Sequence, residues 1–179
     1  MKRTRVALVT VLLAVTVAGV GVAVASQGAP ALPEEARAIT DKIIDGKTAA
    51  AGLKVPVRKP SALPKNVTLV SDRGVPIVKL SAEGGATEDS PGLATILSAN
   101  GQPVEVVQLA VERSNPSQQP NTDSVVVKGT KVQVSKHGDY TTLTAYEKHP
   151  GDRDELLTVR GAVDLATLKA ILESYLTAK

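Results

Sequence analysis

The side chains best suited to chemistry in this chain of 179 residues are two histidines, several clustered carboxylates, the serines, and a strip of tyrosines and threonines. His137 and His149 stand beside Gly138 and Pro150, in turn-like contexts. No H-x-H or H-x-x-x-H spacing brings two ring nitrogens to one metal. The histidines would share an ion with Asp139 or Asp152 only if two hairpin ends met, so both read as exposed turn residues and no metal is expected. Asp152-Arg153-Asp154-Glu155 is dense in carboxylates, but Arg153 intrudes, and the roughly six to eight oxygen ligands of a calcium site do not follow. It reads as a solvated turn. No G-x-S-x-G is present, and the nearest approach to S-x-x-K, Ser61-Ala62-Leu63-Pro64-Lys65, is one residue too long. Glu34-Glu35 and Glu88-Asp89 are adjacent in sequence and cannot straddle a scissile bond. Gly84-Gly85 lacks the following Lys-Ser/Thr and helix of a phosphate cradle. With no cysteine, disulfides, thiolate metal sites, a cysteine nucleophile and a lipid-modified N-terminal Cys all drop out. These absences point away from an enzyme and from any cofactor. What remains is Tyr140, Thr142, Thr144 and Tyr146, which alternate along a segment of β period and so share one face. That face is either a polar-aromatic patch for a ligand or partner, or the solvent side of a half-buried sheet.

A different chemistry is written at the N-terminus. Lys2, Arg3 and Arg5 precede an uncharged run of Val, Ala and Leu from residue 6 to 25. The run ends in Ala23-Val24-Ala25, the small-x-small pattern before a signal-peptidase cut, which would leave Ser26 as the first mature residue. The alternative is an uncleaved anchor, since about 20 apolar residues span a bilayer as helix. Either way the basic end stays in the cytoplasm and the remainder is exported, secreted after cleavage or held in the envelope by one N-terminal span. The formal charge of +3 belongs to this segment, because the rest of the chain carries 18 basic and 18 acidic residues. A neutral exterior gives no general attraction to phosphate backbones. Tyr140, Tyr146 and Tyr175 are the only aromatics, so bases find no stacking platform. Nucleic acid is not an expected partner.

The elements that must position these residues can be read in outline. Residues 1–25 form the signal peptide or anchor, 26–54 a linker with a short helix, and 55–179 an extracytoplasmic α+β domain. The helix is expected over 34–45, from Pro33 and the Glu34-Glu35 pair at its start to Gly46 as its stop. Residues 48–66, broken by Pro56, Pro60 and Pro64, read as loop. Short strands are expected over 67–71, 76–81 and 92–98, with a turn at Arg73-Gly74. Asn100-Gly101 predicts a hairpin into a strand over 104–112. In that strand Val104, Val106 and Gln108 face one way and Glu105, Val107 and Leu109 the other, as suits a central position. Strands over 124–128, 130–135, 140–147 and 155–160 follow. The chain then enters a helix capped by Asp164, with Val163 and Leu168 placed as a hydrophobic staple. Its apolar face is Leu165, Leu168, Ile171, Leu172, Tyr175 and Leu176, with Lys169, Glu173 and Ser174 mainly opposite.

The C-terminal third, from Val125-Val126-Val127-Lys128-Gly129-Thr130 through the strands at 132–135, 141–146 and 156–159 to Gly161 and the helix, resembles an uncharacterised bacterial extracytoplasmic domain family. Upstream, Pro60-Ser61-Ala62-Leu63-Pro64 leading into Val67-Thr68-Leu69 is similar to the same family's entry strand. That family is related in fold to lipoprotein-carrier proteins and to periplasmic sensor domains that control anti-sigma factors. Its members often carry a Trp or other aromatic in the strand matching Leu143 to Tyr146, where only tyrosine occurs here. The resemblance implies an antiparallel, half-open barrel-like sheet packed by a C-terminal and an N-terminal helix. Three functional expectations follow. The first is a non-enzymatic binding or sensing module for a hydrophobic ligand or an envelope protein partner. The second is a structural envelope accessory protein without a pocket. The third is a hydrolase with scattered residues. A pocket of several hundred Å³ lined by Val and Leu would favour the first. A buried acid touching a histidine inside a cleft would mark the third.

Overall fold

The computed structural model describes residues 38–39, 41–80, 86–112 and 123–176. The signal or anchor segment, with Ala23, Ala25 and Ser26, lies outside the described residues, as does most of the helix expected over 34–45. No helix among the described residues is long and apolar enough to cross a membrane. Ala38 and Ile39 are helical, but residues 42–44 are not. Gly46, expected as a stop, instead opens α1 (Gly46–Gly52). The reason is local. Asp45 accepts from the Thr48 amide at 2.9 Å and from Thr48 Oγ1 at 2.5 Å, satisfying an orphan donor of the first turn. The alanines that follow have the highest helix propensity.

Past α1 the chain is mostly strand: β1 (Val67–Val75), β2 (Val78–Leu80), β3 (Ala86–Glu88), β4 (Gly92–Ala99), β5 (Gln102–Glu112), β6 (Asp123–Val127), β7 (Thr130–His137), β8 (Tyr140–Glu147) and β9 (Arg153–Gly161), then helix α2 (Leu165–Leu176). Seven of these form one open antiparallel sheet in the order β1-β4-β5-β9-β8-β7-β6, and β2 pairs only with β3. The α+β expectation, with an unclosed sheet and a helix toward each end of the sequence, holds. Asn100 and Gly101 both take positive φ, 52° and 80°, as the tight β4–β5 hairpin requires. β5 is central, between β4 and β9. The turn expected at Arg73-Gly74 is absent, for β1 runs straight through it. Gly74 is needed there for close approach, since a Cβ would lie 2.5 Å from the Ile44 side chain. The Gly74 amide donates to the Ile44 carbonyl at 2.7 Å, so the stretch before α1 lies along the outer edge of β1.

Register divides the sheet into two faces. Leu97, Val106, Val159, Leu143 and Val132 share the front face and pack under Leu168, Ile171 and Leu172 of α2. All three helix residues are fully buried, and each such burial stabilises by about 1.5–3 kcal/mol. Asp164 caps α2 as expected, accepting from the Thr167 amide at 2.9 Å, and Val163 packs on the same core. Ser174 departs from expectation. It is buried, and its hydroxyl bonds the Ile171 carbonyl at 2.6 Å within the helix, which removes its polarity from the interface. On the back face, Val75, Ala94, Val107 and Leu109 form a smaller cluster joined by Ile77, just before β2.

Candidate functional site

Residues 53–66, between α1 and β1, have no regular structure, yet they are built into the front of the molecule. Leu53 and Val55 are buried with Ala49 of α1, Leu93 and Ala110. Farther along, this strap is fastened by polar contacts. Ser61 donates from its amide and its hydroxyl to the Ser174 carbonyl, at 2.9 and 3.1 Å, and Arg58 Nη1 donates to the Tyr175 carbonyl at 3.3 Å. The strap thereby satisfies carbonyls that the last turn of α2 cannot satisfy itself.

Arg58 is the centre of the fastening. Its Nε donates to both oxygens of Glu155, at 2.7 and 2.9 Å, and its Nη2 to Glu147. Gln108 bridges the strap and the sheet. Its Oε1 accepts from the Arg58 amide at 3.1 Å, while its Nε2 donates to the Pro56 carbonyl at 2.6 Å and to Glu155 at 2.8 Å. His149 Nε2 lies 2.8 Å from the second oxygen of Glu155. Burial opposes the Arg58 charge, but the hydrogen bonds and charges of Glu155 and Glu147 outweigh it and hold the guanidinium above its ordinary pKa. Glu155 itself is wholly buried.

This overturns the reading of Asp152-Arg153-Asp154-Glu155 as a solvated turn. Arg153 onward is strand, and its alternation sends Glu155 to the front and Asp154 to the back, both without solvent exposure. His149 is likewise no exposed turn residue, with a side chain only 20% exposed. Among the described residues neither Asp139 nor Asp152 joins a histidine in a group that could hold a metal. The groups that do converge are Glu147, His149 and Glu155, with one ligand atom from each within 4.8 Å of the others. The Arg58 guanidinium lies among them, so the chain supplies the cation that two carboxylates require. The cluster also matches half of the hydrolase criterion, a buried acid touching a histidine. However, Glu155 is committed through both oxygens to Arg58, and neither Glu155 nor His149 lines the cleft described next.

That cleft is an open groove of about 650 Å³ on the front face, between α1, the strap, β1 and the end of α2. Its walls are mainly apolar, with Val57, Leu63, Leu69 and Leu93 prominent, and Tyr175 contributes to the floor. Leu69 is 59% exposed on an edge strand. Tyr175 is 2% exposed, and its hydroxyl makes no hydrogen bond of normal geometry. Burial pushes this phenol up to about 12, with a smaller opposing effect from Thr95. Thr95 in turn donates to Asp72 at 2.7 Å, and both line the groove.

The strip Tyr140, Thr142, Thr144 and Tyr146 shares one face, as expected, but that is the back face, away from the groove, and all four are half-buried. The Arg160 guanidinium sits 4.9 Å from the centre of the Tyr140 ring, and the Tyr146 hydroxyl donates to Asp154 at 2.5 Å. The groove residues were not singled out from sequence. Their available signal was Val55, Val57 and Leu63 interleaved with Pro56, Pro60 and Pro64, an apolar content unusual for an exposed loop.

The fold and site define an open antiparallel α+β domain with a front-face groove. No protein-family profile matches the chain, and no curated protein matches it. Among solved structures it is similar to "The complex structure of Pseudomonas aeruginosa MucA/MucB", at 18% identity and a TM-score of 0.41, over 67% of this chain and 35% of that one. The chain therefore spans about one third of the length of the protein chain it matches.

Proposed function

We propose that the chain is a non-enzymatic extracytoplasmic binding or sensing module whose front groove holds a hydrophobic ligand. The observation that carries this reading is the groove itself. Its volume, about 650 Å³, falls within the roughly 300–1,000 Å³ of small-molecule sites. Its walls also leave apolar side chains such as Leu69 open to water when empty. An accessory protein without a pocket has no use for such an opening. The fixed pairing of Glu155 with Arg58 supports a structural role for that cluster rather than acid–base work. Export rests on the N-terminal segment, with its basic start, uncharged run and Ala23-Val24-Ala25.

A neutral, polarity-sensitive fluorescent probe tests the reading. The exported protein should enhance and blue-shift its emission with saturable binding. Leu69→Asp should abolish that signal with little change in melting, because Leu69 is largely exposed. Equal probe binding by the wild type and this variant would count against the groove.

A further inference from the structure

The charges at the groove do not select for a charged ligand. Its cationic side chains are Lys47, Arg58 and Lys59. Against them stand Asp72 in the wall and, behind it, Glu147 and Glu155 on Arg58. These groups balance, so neither an anionic nor a cationic head gains from the site as a whole. The polar group left unspent is a neutral one. Among the described residues two buried side-chain hydroxyls make no hydrogen bond of normal geometry, those of Ser90 and Tyr175, and of the two only Tyr175 lines the groove. Thr95 and Asp72 act on the Tyr175 hydroxyl electrostatically, and both are groove residues, so the phenol end of the ring lies at the groove. Thr95 commits its own proton to Asp72, at 2.7 Å. A buried donor without an acceptor costs stability that nothing in the empty protein returns. One such donor in an otherwise apolar cleft is the kind of group that orients a ligand.

We propose that Tyr175 is a specificity-determining residue of the groove, its hydroxyl donating to a carbonyl oxygen on an uncharged, otherwise apolar ligand. This rests on the reading of the groove as a hydrophobic-ligand site. A ketone, ester or amide carbonyl satisfies the donor and, unlike an alcohol, need bring no proton that wants an acceptor among apolar walls. The hydroxyl is closed off from solvent in the empty groove, so the carbonyl reaches it through a side-chain adjustment in the floor, a common accompaniment of binding.

The test uses the exported protein and two neutral compounds of one shape, nonan-2-one and 2-methylnon-1-ene, in which a methylene replaces the carbonyl oxygen. Each is titrated as a competitor of a neutral fluorescent probe, against wild type and Tyr175→Phe. The two compounds differ in hydrophobicity, so the readout is the change between the proteins for each compound. The variant should bind the ketone about five- to tenfold more weakly, the size of one hydrogen bond to an otherwise unpaired group, and the alkene no more weakly. It should melt at or above the wild-type temperature. Ketone affinity unchanged in the variant, or an equal loss for both compounds, would overturn the assignment to Tyr175 while leaving the apolar groove intact. So would a variant that melts clearly lower, since the hydroxyl would then be satisfied already in the empty protein. If neither compound displaces the probe from the wild type, the underlying reading of the groove fails as well.

Discussion

The two halves of the front face are covered by different means. Over β6 to β9 the cover is α2, whose continuous apolar stripe closes the sheet with Leu168, Ile171 and Leu172 fully buried. Over β1, the start of β4 around Leu93 and the end of β5 around Ala110 it is a helix of 7 residues and a strap interrupted by three prolines. A helix places apolar residues on one face at regular spacing, so it seals a sheet by area alone. A proline-broken strap cannot repeat a spacing, so its apolar residues reach the sheet only in places. It is held between those places by polar anchors, chiefly Arg58 on Glu155. The groove is the space such a cover leaves open.

The largest effect that sharpens this contrast is Leu172→Asp. An unpaired carboxylate in the sealed half should cost more than about 4 kcal/mol and remove the cooperative thermal transition seen by circular dichroism. An unaltered melt would mean α2 does not close that half. Next comes Arg58→Met, which leaves Glu155 buried without its cation and should cost about 3–5 kcal/mol. Adding Glu155→Met should recover most of that loss, because a buried ion pair replaced by apolar residues of similar size is often neutral. If the double variant melts lower than the single one, the strap is not held through this pair.

Smaller changes probe the rim. Tyr175→Phe removes a buried hydroxyl that makes no hydrogen bond of normal geometry and should leave stability unchanged or raise it by about 1 kcal/mol. A clear loss in denaturant titration would mean that the hydroxyl is satisfied. The smallest effect concerns Asp89, which accepts from Arg153 at 3.0 and 3.2 Å. Burial pushes its pKa up, but the hydrogen bonds from Arg153 and Ser90 and the Arg153 charge outweigh this and hold it below the ordinary carboxylate value. A carboxyl depressed in the folded state stabilises above its unfolded pKa and ceases to do so as pH falls through the folded one. Asp89→Asn should therefore melt slightly below wild type at neutral pH, and the difference should fade below about pH 4. A difference independent of pH would assign the effect to packing.

Much of the frame was legible because it depends on local pattern. The alternation over 104–112 and 140–147, the Asn100-Gly101 hairpin and the Asp164 cap each follow from residues within one element. The candidate site was not legible, because its decisive contacts are distant. Glu155 meets Arg58 across 97 positions, and nothing beside either residue marks it as buried. A run such as Asp152 to Glu155 reads as solvated until a partner is known. Gly74 misled for a related reason, since its role is to admit Ile44 rather than to turn the chain. The tyrosine and threonine strip was correctly placed on one face, but alternation alone does not say which face carries the groove.

The central claim, that the groove holds an apolar ligand, is tested most directly by native mass spectrometry of the protein isolated without detergent from the cells that make it. The account predicts a small bound molecule on the wild type, released by organic solvent and absent from Leu69→Asp. A wild-type chain of bare mass, or an adduct that survives in the variant, would contradict it.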